Sequence, residues 1–276
     1  METAMHWSLL DEPYVLSAEQ KAYYRQNGYI KLKEVLSAEL IGHFNHLIAQ
    51  QVQALSLASL PLEQRNTYGK AFLQAFNLWT LNEHIRPLVF SKRLAQLATD
   101  LMGVAGVRLY HDQALFKEAG GGITPWHADQ HYWPMASNHA TTLWIPLQAT
   151  PLEMGPLEFS PGSQALLQGR ELSIGDESEA AIQRQLKIND FPHHVSAFDL
   201  GEVSFHSGWI FHRAGANSSQ EIRKVMTIIY MDKDMRLKEA ENKGQLNDSK
   251  TWCPGVEVGE IMASSLNPVL FEQVKS

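Results

Sequence analysis

The chain has 276 residues, of which 44% are hydrophobic, and its formal net charge is −7. This acidic balance, without any long run of Lys or Arg, argues against a nucleic acid or an anionic membrane as a partner. No apolar stretch approaches the roughly 18 residues that a membrane-spanning helix needs. The one cysteine, Cys253, cannot form a disulfide within the chain, which predicts a reducing, cytoplasmic location.

Helical patterns dominate the first 105 residues. Ser17 followed three positions later by Gln20 forms a capping-box sequence, which predicts the start of a helix. A second helix is predicted after Ser37, because apolar residues recur at three- and four-residue spacing from Leu40 to Leu55. A third is predicted from Ser91 to a stop at Gly103. These apolar stripes predict core packing rather than a cofactor site.

From Val107 the pattern changes to short strands bounded by Gly and Pro. The predicted strands are Val107–Lys117, Trp126–Tyr132, Thr141–Leu147, Leu157–Ser160, Glu202–His206, Trp209–His212 and Val225–Met231. Many short strands separated by such turns indicate a sandwich or a barrel, so the fold class is mainly β with flanking helices. Two polar stretches, residues 169–190 and 233–250, are predicted to be surface insertions of the kind that form lids or disordered loops.

Candidate metal ligands occur at His127 and Asp129, with His212 much later in the chain. Two imidazoles and one carboxylate are the ligand set of the facial triad that holds non-haem Fe(II) in oxygenases. The His-x-Asp spacing fits a strand, because residues i and i+2 point to the same side. A structural alternative is a buried histidine hydrogen-bonded to a nearby aspartate. Other histidines compete for the distal ligand position, namely His131, His193, His194 and His206.

An arginine, Arg223, lies 11 positions after His212. Guanidinium offers a planar, bidentate fork that suits a carboxylate co-substrate. The alternative interpretation is a surface salt bridge, because Arg223 follows the polar run of residues 217–221. If this segment is a strand, the neighbouring Lys224 points to the opposite face and is the poorer candidate.

The chain resembles the phytanoyl-CoA dioxygenase family of Fe(II)/2-oxoglutarate-dependent oxygenases over most of its length. The similarity rests on short motifs in the family's order, which are YYRQNGYI (23–30), HDQALFK (111–117), TPWHAD (124–129), WIPL (144–147), GPLEFSPGS (155–163) and HRAGAN (212–217). It implies a double-stranded β-helix, the cupin-like jelly roll, with the N-terminal helices packed on one sheet. The HRAGAN motif and its spacing to Arg223 favour His212 over His206 as the distal ligand.

The same resemblance implies roles for individual residues. His127, Asp129 and His212 would bind Fe(II), and Arg223 would bind the distal carboxylate of 2-oxoglutarate. Three further residues would lie near the co-substrate, namely Trp144, Lys117 and, with weaker support, Gln113. Ala214 is a departure, because some members carry a serine there that contacts 2-oxoglutarate.

Aromatic residues after the His-x-Asp motif are expected at the mouth of the substrate pocket. Strand alternation would place His131 and then Trp133 on the ligand face, with Tyr132 between them. Trp79 and Phe76 are expected to close the pocket from the helical side. Plain packing of helices on the sheet is an equally good explanation for these aromatics. A rim with few fixed charges suits a compact, partly apolar metabolite, and no basic cluster is visible to hold the phosphates of an acyl-CoA.

The sequence therefore predicts one oxygenase domain over residues 1–276. Residues 1–105 would form a helical entry segment, residues 106–235 the jelly-roll core and residues 236–276 a C-terminal extension. The expected reaction uses O2 and 2-oxoglutarate to hydroxylate, or otherwise oxidise a C–H bond of, a small organic molecule, with release of succinate and CO2. The alternatives are a non-catalytic, cupin-like metal-binding ligand sensor, a metal-dependent isomerase or lyase, and an acyl-CoA hydroxylase. The oligomeric state stays open.

Overall fold

The computed structural model describes residues 7–56, 62–65 and 67–273. Within these ranges the helices are α1 (Ala18–Asn27), α2 (Ala38–Ser56), α3 (Thr67–Ala71), α4 (Leu78–Leu81), α5 (Arg86–Val89), α6 (Lys92–Met102), α7 (Asp176–Ile188) and α8 (Lys243–Trp252). No described helix is long and apolar enough to cross a membrane.

The three helix starts predicted from the sequence are confirmed. Ser17 accepts a hydrogen bond from the backbone N–H of Gln20 at 3.2 Å, and the Gln20 side chain accepts one in return, which completes the capping box. Ser37 and Ser91 accept equivalent bonds at the starts of α2 and α6. The predicted stripe of α2 is buried except for Leu47, which is half-buried, and Leu55 in the last turn, which is exposed.

The strands are β1 (Tyr29–Leu32), β2 (Leu73–Phe76), β3 (Gly106–Lys117), β4 (Thr124–His127), β5 (Ala140–Pro146), β6 (Leu157–Phe159), β7 (His194–Val195), β8 (Val203–Ser207), β9 (His212–Ala214), β10 (Arg223–Asp232) and β11 (Val269–Glu272). One sheet has the order β1-β8-β5-β10-β3-β11, with β2 also paired to β3, and the other has the order β4-β9-β6-β7. Every pairing between these strands is antiparallel. The predicted mainly β jelly roll with flanking helices is confirmed.

Strand alternation gives the large sheet one face for the core and one face for a cavity. On β10, Met226, Ile228 and Tyr230 are buried in the main hydrophobic cluster together with residues of α2 and α6. The intervening Thr227 and Ile229 point the other way and line a cavity. The N-terminal helices therefore cover the outer face, and the second sheet lies across the inner one.

The predicted strand Trp126–Tyr132 is wrong in its second half. Strand β4 ends at His127, and Asp129 to Tyr132 form a 3-10 helix. The backbone N–H of Gln130 bonds to the carbonyl of Gly208 at 2.9 Å, outside any strand ladder. The alternation of side chains along a strand therefore does not predict which way the side chains after His127 point.

The two polar stretches predicted as surface insertions are ordered. Helix α7 lies in the first, and its Ile182 and Leu186 are buried against Trp126 and Phe211. Helix α8 lies in the second and packs beside the 3-10 helix that follows β4. Disorder is thus the wrong expectation for both, because α7 buries apolar side chains and α8 is tied to the 3-10 helix by the buried Gln245, which donates to the carbonyl of His131.

Candidate active site

A cavity of about 650 Å³ lies between the two sheets. The large sheet contributes residues of β3, β5, β8 and β10, the small sheet contributes residues of β4, β6 and β9, and α8 forms part of the wall. Helix α8 lies close to the ring of Tyr132 at this wall, since a Cβ added at Gly244 would lie 2.9 Å from Cδ1 of Tyr132. The volume is typical of a pocket for a small organic ligand.

Two histidines, His127 and His212, face each other across the β4–β9 ladder as register partners. Their ring centroids are 4.2 Å apart. Nδ1 of His127 lies 2.7 Å from the carbonyl of Pro125, and Nδ1 of His212 lies 3.1 Å from that of Ile210. A carbonyl oxygen can only accept a hydrogen bond, so Nδ1 of each ring carries the hydrogen and Nε2 has a free lone pair. The same arrangement orients the histidines that bind metals.

Asp129, the first residue of the 3-10 helix, completes the cluster. Its Oδ1 lies 3.5 Å from Nε2 of His127 and 3.6 Å from Nε2 of His212. Burial raises the pKa of Asp129, but His212, His127 and His206 outweigh that effect and hold the pKa well below its usual range. Burial, followed by the nearby His127, lowers the pKa of His212. A neutral imidazole and an ionised carboxylate are the protonation states in which these groups bind metals.

The cluster fits a single metal ion. One donor atom from each of His127, Asp129 and His212 lies within 4.8 Å of the others. Donors at right angles around an ion, each about 2.1 Å from it, are about 3 Å apart, so small side-chain movements would bring all three into range. Two imidazoles and a carboxylate on one side of an open cavity match the donor set of non-haem Fe(II).

The competing histidines lie elsewhere. Nε2 of His206 lies 3.3 Å from Oδ2 of Asp129, the oxygen that does not face the other two imidazoles. His206 therefore sits behind the carboxylate, where Thr142 also donates to Oδ2 at 2.8 Å. His193 pairs with Glu158, and His194 contacts the hydroxyl of Tyr29 at 3.0 Å; neither lines the cavity.

Arg223 lies at the start of β10, where it lines the cavity with only 1% of its surface exposed. Its Nη1 donates to the carbonyl of Gly155, and its guanidinium carbon lies 5.6 Å from the centre of the Trp144 ring. Nε of Arg223 is buried without a partner, and no described carboxylate forms an ion pair with it. Burial lowers the pKa of Arg223 to about 9. A surface salt bridge is therefore the wrong expectation for this residue.

The carbonyl that holds Arg223 belongs to a glycine for steric reasons. Gly155 has a left-handed φ of 64°, and a Cβ there would lie 2.2 Å from the carbonyl oxygen of Gly215. Only glycine allows the backbone to approach so closely. Trp144, on the neighbouring strand β5, is also buried and lines the cavity, as the sequence predicts.

Lys117 differs from its predicted place. It is fully buried, and its Nζ donates to the carbonyl oxygens of Gly122 and Gly215 and to the hydroxyl of Thr124. Burial, and then the charge of Arg223, lowers the pKa of Lys117 to about 6. Nζ is thus engaged by groups of the chain itself, and the side chain does not line the cavity. Gln113, on the same strand, does line it and accepts from Gln74 at 3.2 Å.

The predicted substrate residues divide into two groups. Tyr132, Trp133 and Phe76 line the cavity. His131 does not, because the 3-10 helix turns its ring nitrogens toward the carbonyl of Arg170 and the hydroxyl of Ser173. Trp79 does not either, since it packs on the main core beside Phe90 and Arg86.

Among the cavity residues that were not singled out from the sequence, four carry polar or aromatic groups that matter below, namely Thr142, His111, Asp248 and Trp252. Strand alternation could have found two of them, since Thr142 precedes Trp144 by two positions and His111 precedes Gln113 by two. Asp248 and Trp252 lie on α8, which nothing in the local pattern placed near the cavity. Helix spacing does put these two on the same face, because they are four residues apart.

The sequence profile of the phytanoyl-CoA dioxygenase family matches residues 24–225. No curated protein sequence matches the chain. Among solved structures, the epimerase SnoN in complex with Fe3+, alpha ketoglutarate and nogalamycin RO is 26% identical, with a TM-score of 0.73 over 92% of this chain and 98% of that one. The non-heme alpha ketoglutarate dependent carbocyclase SnoK is 22% identical, with a TM-score of 0.75 over 94% and 99%. EctD from S. alaskensis, with 2-oxoglutarate and 5-hydroxyectoine, is 19% identical, with a TM-score of 0.66 over 83% and 82%. SnoK and EctD support the fold alone.

Proposed function

The chain belongs to the phytanoyl-CoA dioxygenase family, and from this premise we propose how its residues perform the reaction of a non-haem Fe(II)- and 2-oxoglutarate-dependent dioxygenase. His127, Asp129 and His212 hold the iron. When bound, Fe(II) and 2-oxoglutarate activate O2, and one C–H bond of the substrate is oxidised while succinate and CO2 are released. These three donors would lie on one side of a bound ion, and its cavity side would remain open to small molecules.

The buried guanidinium of Arg223 is the observation that carries the proposal. A buried charge is costly unless it is paired, and this one has a free Nε and no described acidic partner. Its one polar partner, the carbonyl of Gly155, fixes the plane of the group. We assign to Arg223 the distal carboxylate of 2-oxoglutarate, with Trp144 as the wall of the co-substrate site and Gln113 as a polar neighbour.

Two further residues hold Asp129 in place. Thr142 and His206 both contact Oδ2 of the carboxylate, at 2.8 and 3.3 Å. With Oδ2 occupied, Oδ1 is the oxygen presented to the metal. Hydrogen bonds of this kind orient metal ligands and are part of the site's affinity.

The substrate is a small metabolite rather than an acyl-CoA. Arg223 is the one Lys or Arg among the described residues that line the cavity, and its place is taken by the co-substrate. No described cavity residue is left to neutralise the phosphates of coenzyme A. The buried arginine also speaks against a mere metal-binding sensor, which needs no carboxylate clamp. The single cysteine supports a cytoplasmic location.

The test is succinate formation from 2-oxoglutarate by the Fe(II)-loaded protein with ascorbate and O2. The assay would screen a panel of free metabolites and acyl-CoA thioesters. Only members of the free-metabolite class should stimulate succinate release. Removal of the metal by a chelator should stop release, and added Fe(II) should restore it. If the protein binds the metal and 2-oxoglutarate but turns over no compound of the panel, the result would instead favour a non-catalytic ligand sensor. Efficient oxidation of acyl-CoA with inert free metabolites would overturn the substrate assignment.

A further inference from the structure

We propose that the α8 side of the cavity is a subsite for a cationic group of the substrate, an ammonium held between the carboxylate of Asp248 and the rings of Trp252, Phe76 and His111. The inference rests on the proposed function and narrows its substrate to amine-bearing metabolites. These four residues are called the α8 subsite below. Each of them lines the cavity.

Asp248 provides the charge. Its carboxylate accepts a hydrogen bond from the hydroxyl of Tyr110 at 3.2 Å and another from the side chain of Trp252. Both donors are neutral, and no described Lys or Arg lies within ion-pair distance of Asp248. The mechanism above does not use this carboxylate. A half-buried anion that faces a ligand cavity without a cation is matched by a cation on the ligand.

Three aromatic rings form one wall of the cavity beside the place where that cation would sit. The ring of Trp252 lies 4.7 Å from that of His111 and 5.1 Å from that of Phe76, and the latter two are 5.8 Å apart. The three rings come from α8, β3 and β2 and meet at one wall. Ring faces attract ammonium groups, and a cluster of them beside a carboxylate is the usual arrangement for binding alkylated amines.

His111 supplies an independent sign of an absent ligand. It is 5% exposed, and its Nδ1 is buried without a hydrogen-bond partner in the described structure. Burial lowers the pKa of His111 to about 4, so the ring adds no positive charge to the wall. A neutral imidazole in the cavity wall can contact an ammonium with its ring face or, through an unprotonated nitrogen, as an acceptor.

The subsite is rigidly attached to the metal cluster. The side chains of Asn242 and Gln245 at the start of α8 donate to the carbonyl of His131 at 3.1 and 3.0 Å. His131 belongs to the same 3-10 helix as Asp129. The cavity thus has a fixed cation, Arg223, in one part of its wall and a fixed anion, Asp248, on α8. Arg223 therefore attracts the anionic co-substrate, and Asp248 attracts the cationic substrate, so that charge places the two molecules at different positions.

The experiment measures binding, so that it does not depend on turnover. Titration calorimetry on the anaerobic Fe(II)- and 2-oxoglutarate-loaded enzyme would use three probes of similar size, namely benzyltrimethylammonium, 2-phenylethanol and benzenesulfonate. We expect the cation to bind tightest and the anion to bind weakest. In Asp248→Asn the affinity for the cation should fall by about tenfold or more, while the affinity for 2-phenylethanol stays unchanged.

Two variants separate charge from folding. Tyr110→Phe removes the hydrogen bond to Asp248, which raises the pKa of this carboxyl further. At about pH 9, where the carboxylate is still ionised, the variant should retain cation binding. Glu239→Gln removes an exposed carboxylate of the same C-terminal segment and should change nothing. Equal affinities of the cation and the anion, or an Asp248→Asn variant that binds the cation as the wild type does, would overturn the proposal.

The result is distinguishable from failure of the proposed function. The 2-oxoglutarate affinity of Asp248→Asn should equal that of the wild type, because Asp248 lies apart from Arg223. If the wild type binds no 2-oxoglutarate but still selects the cation through Asp248, the subsite stands and the proposed function falls. If 2-oxoglutarate binds and the cation does not, the subsite alone falls.

Discussion

Oγ1 of Thr142 donates a 2.8 Å hydrogen bond to Oδ2 of Asp129, which leaves Oδ1 facing Nε2 of both His127 and His212. Thr142 lies on β5 in the large sheet, whereas both histidines lie on the small sheet. One hydroxyl therefore joins the two sheets at the metal cluster and fixes which carboxylate oxygen a metal would meet.

Replacement of Thr142 by valine keeps the shape of the side chain and removes the hydroxyl. We expect Thr142→Val to weaken Fe(II) binding by about tenfold to a hundredfold, because Asp129 loses a partner that orients it. Metal affinity can be measured by competition with a coloured chelator. Thr141→Val is the matched control. Thr141 points to the opposite face, where its hydroxyl accepts from the Tyr24 hydroxyl and donates to the backbone carbonyl of His206. Thr141→Val should therefore lower the free energy of unfolding but not the metal affinity.

The ligand assignment is tested against its competitor, His206. His127→Ala and His212→Ala should abolish metal binding and turnover while circular dichroism stays native. His206→Ala should still bind one metal ion, with reduced affinity, because its Nε2 contacts only the far oxygen of Asp129. Loss of the metal in His206→Ala together with its retention in His212→Ala would make His206 the ligand.

Arg223 should govern co-substrate affinity. In Arg223→Ala we expect the dissociation constant for 2-oxoglutarate to rise at least about tenfold, since a buried, charge-assisted pair is lost. Arg223→Lys should recover only part of the affinity, because an ammonium cannot form the planar fork. Calorimetry on the Co(II)-loaded protein measures both. The control is Lys224→Ala, which removes the adjacent charge from the other face of β10; a fall in affinity of equal size there would contradict a specific role for Arg223.

Lys117 should act on stability rather than on 2-oxoglutarate. Lys117→Met leaves the carbonyl oxygens of Gly122 and Gly215 without their donor, and an unpaired buried acceptor costs about 1–3 kcal/mol. We therefore expect a lower urea midpoint and an unchanged 2-oxoglutarate affinity in the folded variant. A selective loss of 2-oxoglutarate binding at normal stability would return Lys117 to the co-substrate site.

The affinity of the α8 subsite for benzyltrimethylammonium should depend on pH. Burial raises the pKa of Asp248 to about 7 despite its hydrogen bonds from Tyr110 and Trp252. The carboxylate is charged above that pKa, so the affinity should rise between about pH 6 and pH 8 and be lost as the pH falls. The charge of the quaternary probe does not change.

The groups that face Asp248 titrate outside this range. Burial lowers the pKa of His111 to about 4, raises that of Cys253 to about 12, and raises those of Tyr110 and Tyr132. The pH profile should therefore be flat in Asp248→Asn. A profile that keeps its slope in this variant would assign the titration to another group.

Local signals in the sequence were sufficient for much of the fold. The serine caps of α1, α2 and α6 depend on residues within one helical turn. The long strands β3, β5 and β10 follow from local runs of strand-forming residues bounded by turn residues. Strands β2, β7 and β11 were not predicted. They are short, and they form because longer strands offer an edge to pair with.

The sequence by itself determined the chemical types in the cluster: two imidazoles, a carboxylate and a following arginine, in an order typical of one family. Only the tertiary structure decided which carboxylate oxygen of Asp129 is free and that His206 lies behind this carboxylate. It also decided that Nζ of Lys117 donates to backbone carbonyls. It also brought Asp248 and Trp252 of α8 to the wall formed by Phe76 and His111. These outcomes depend on strand register and on contacts between distant segments, which are 77 residues apart for Asp129 and His206 and 138 for Tyr110 and Asp248. No local pattern encodes such contacts, because they are selected by the packing of the whole chain.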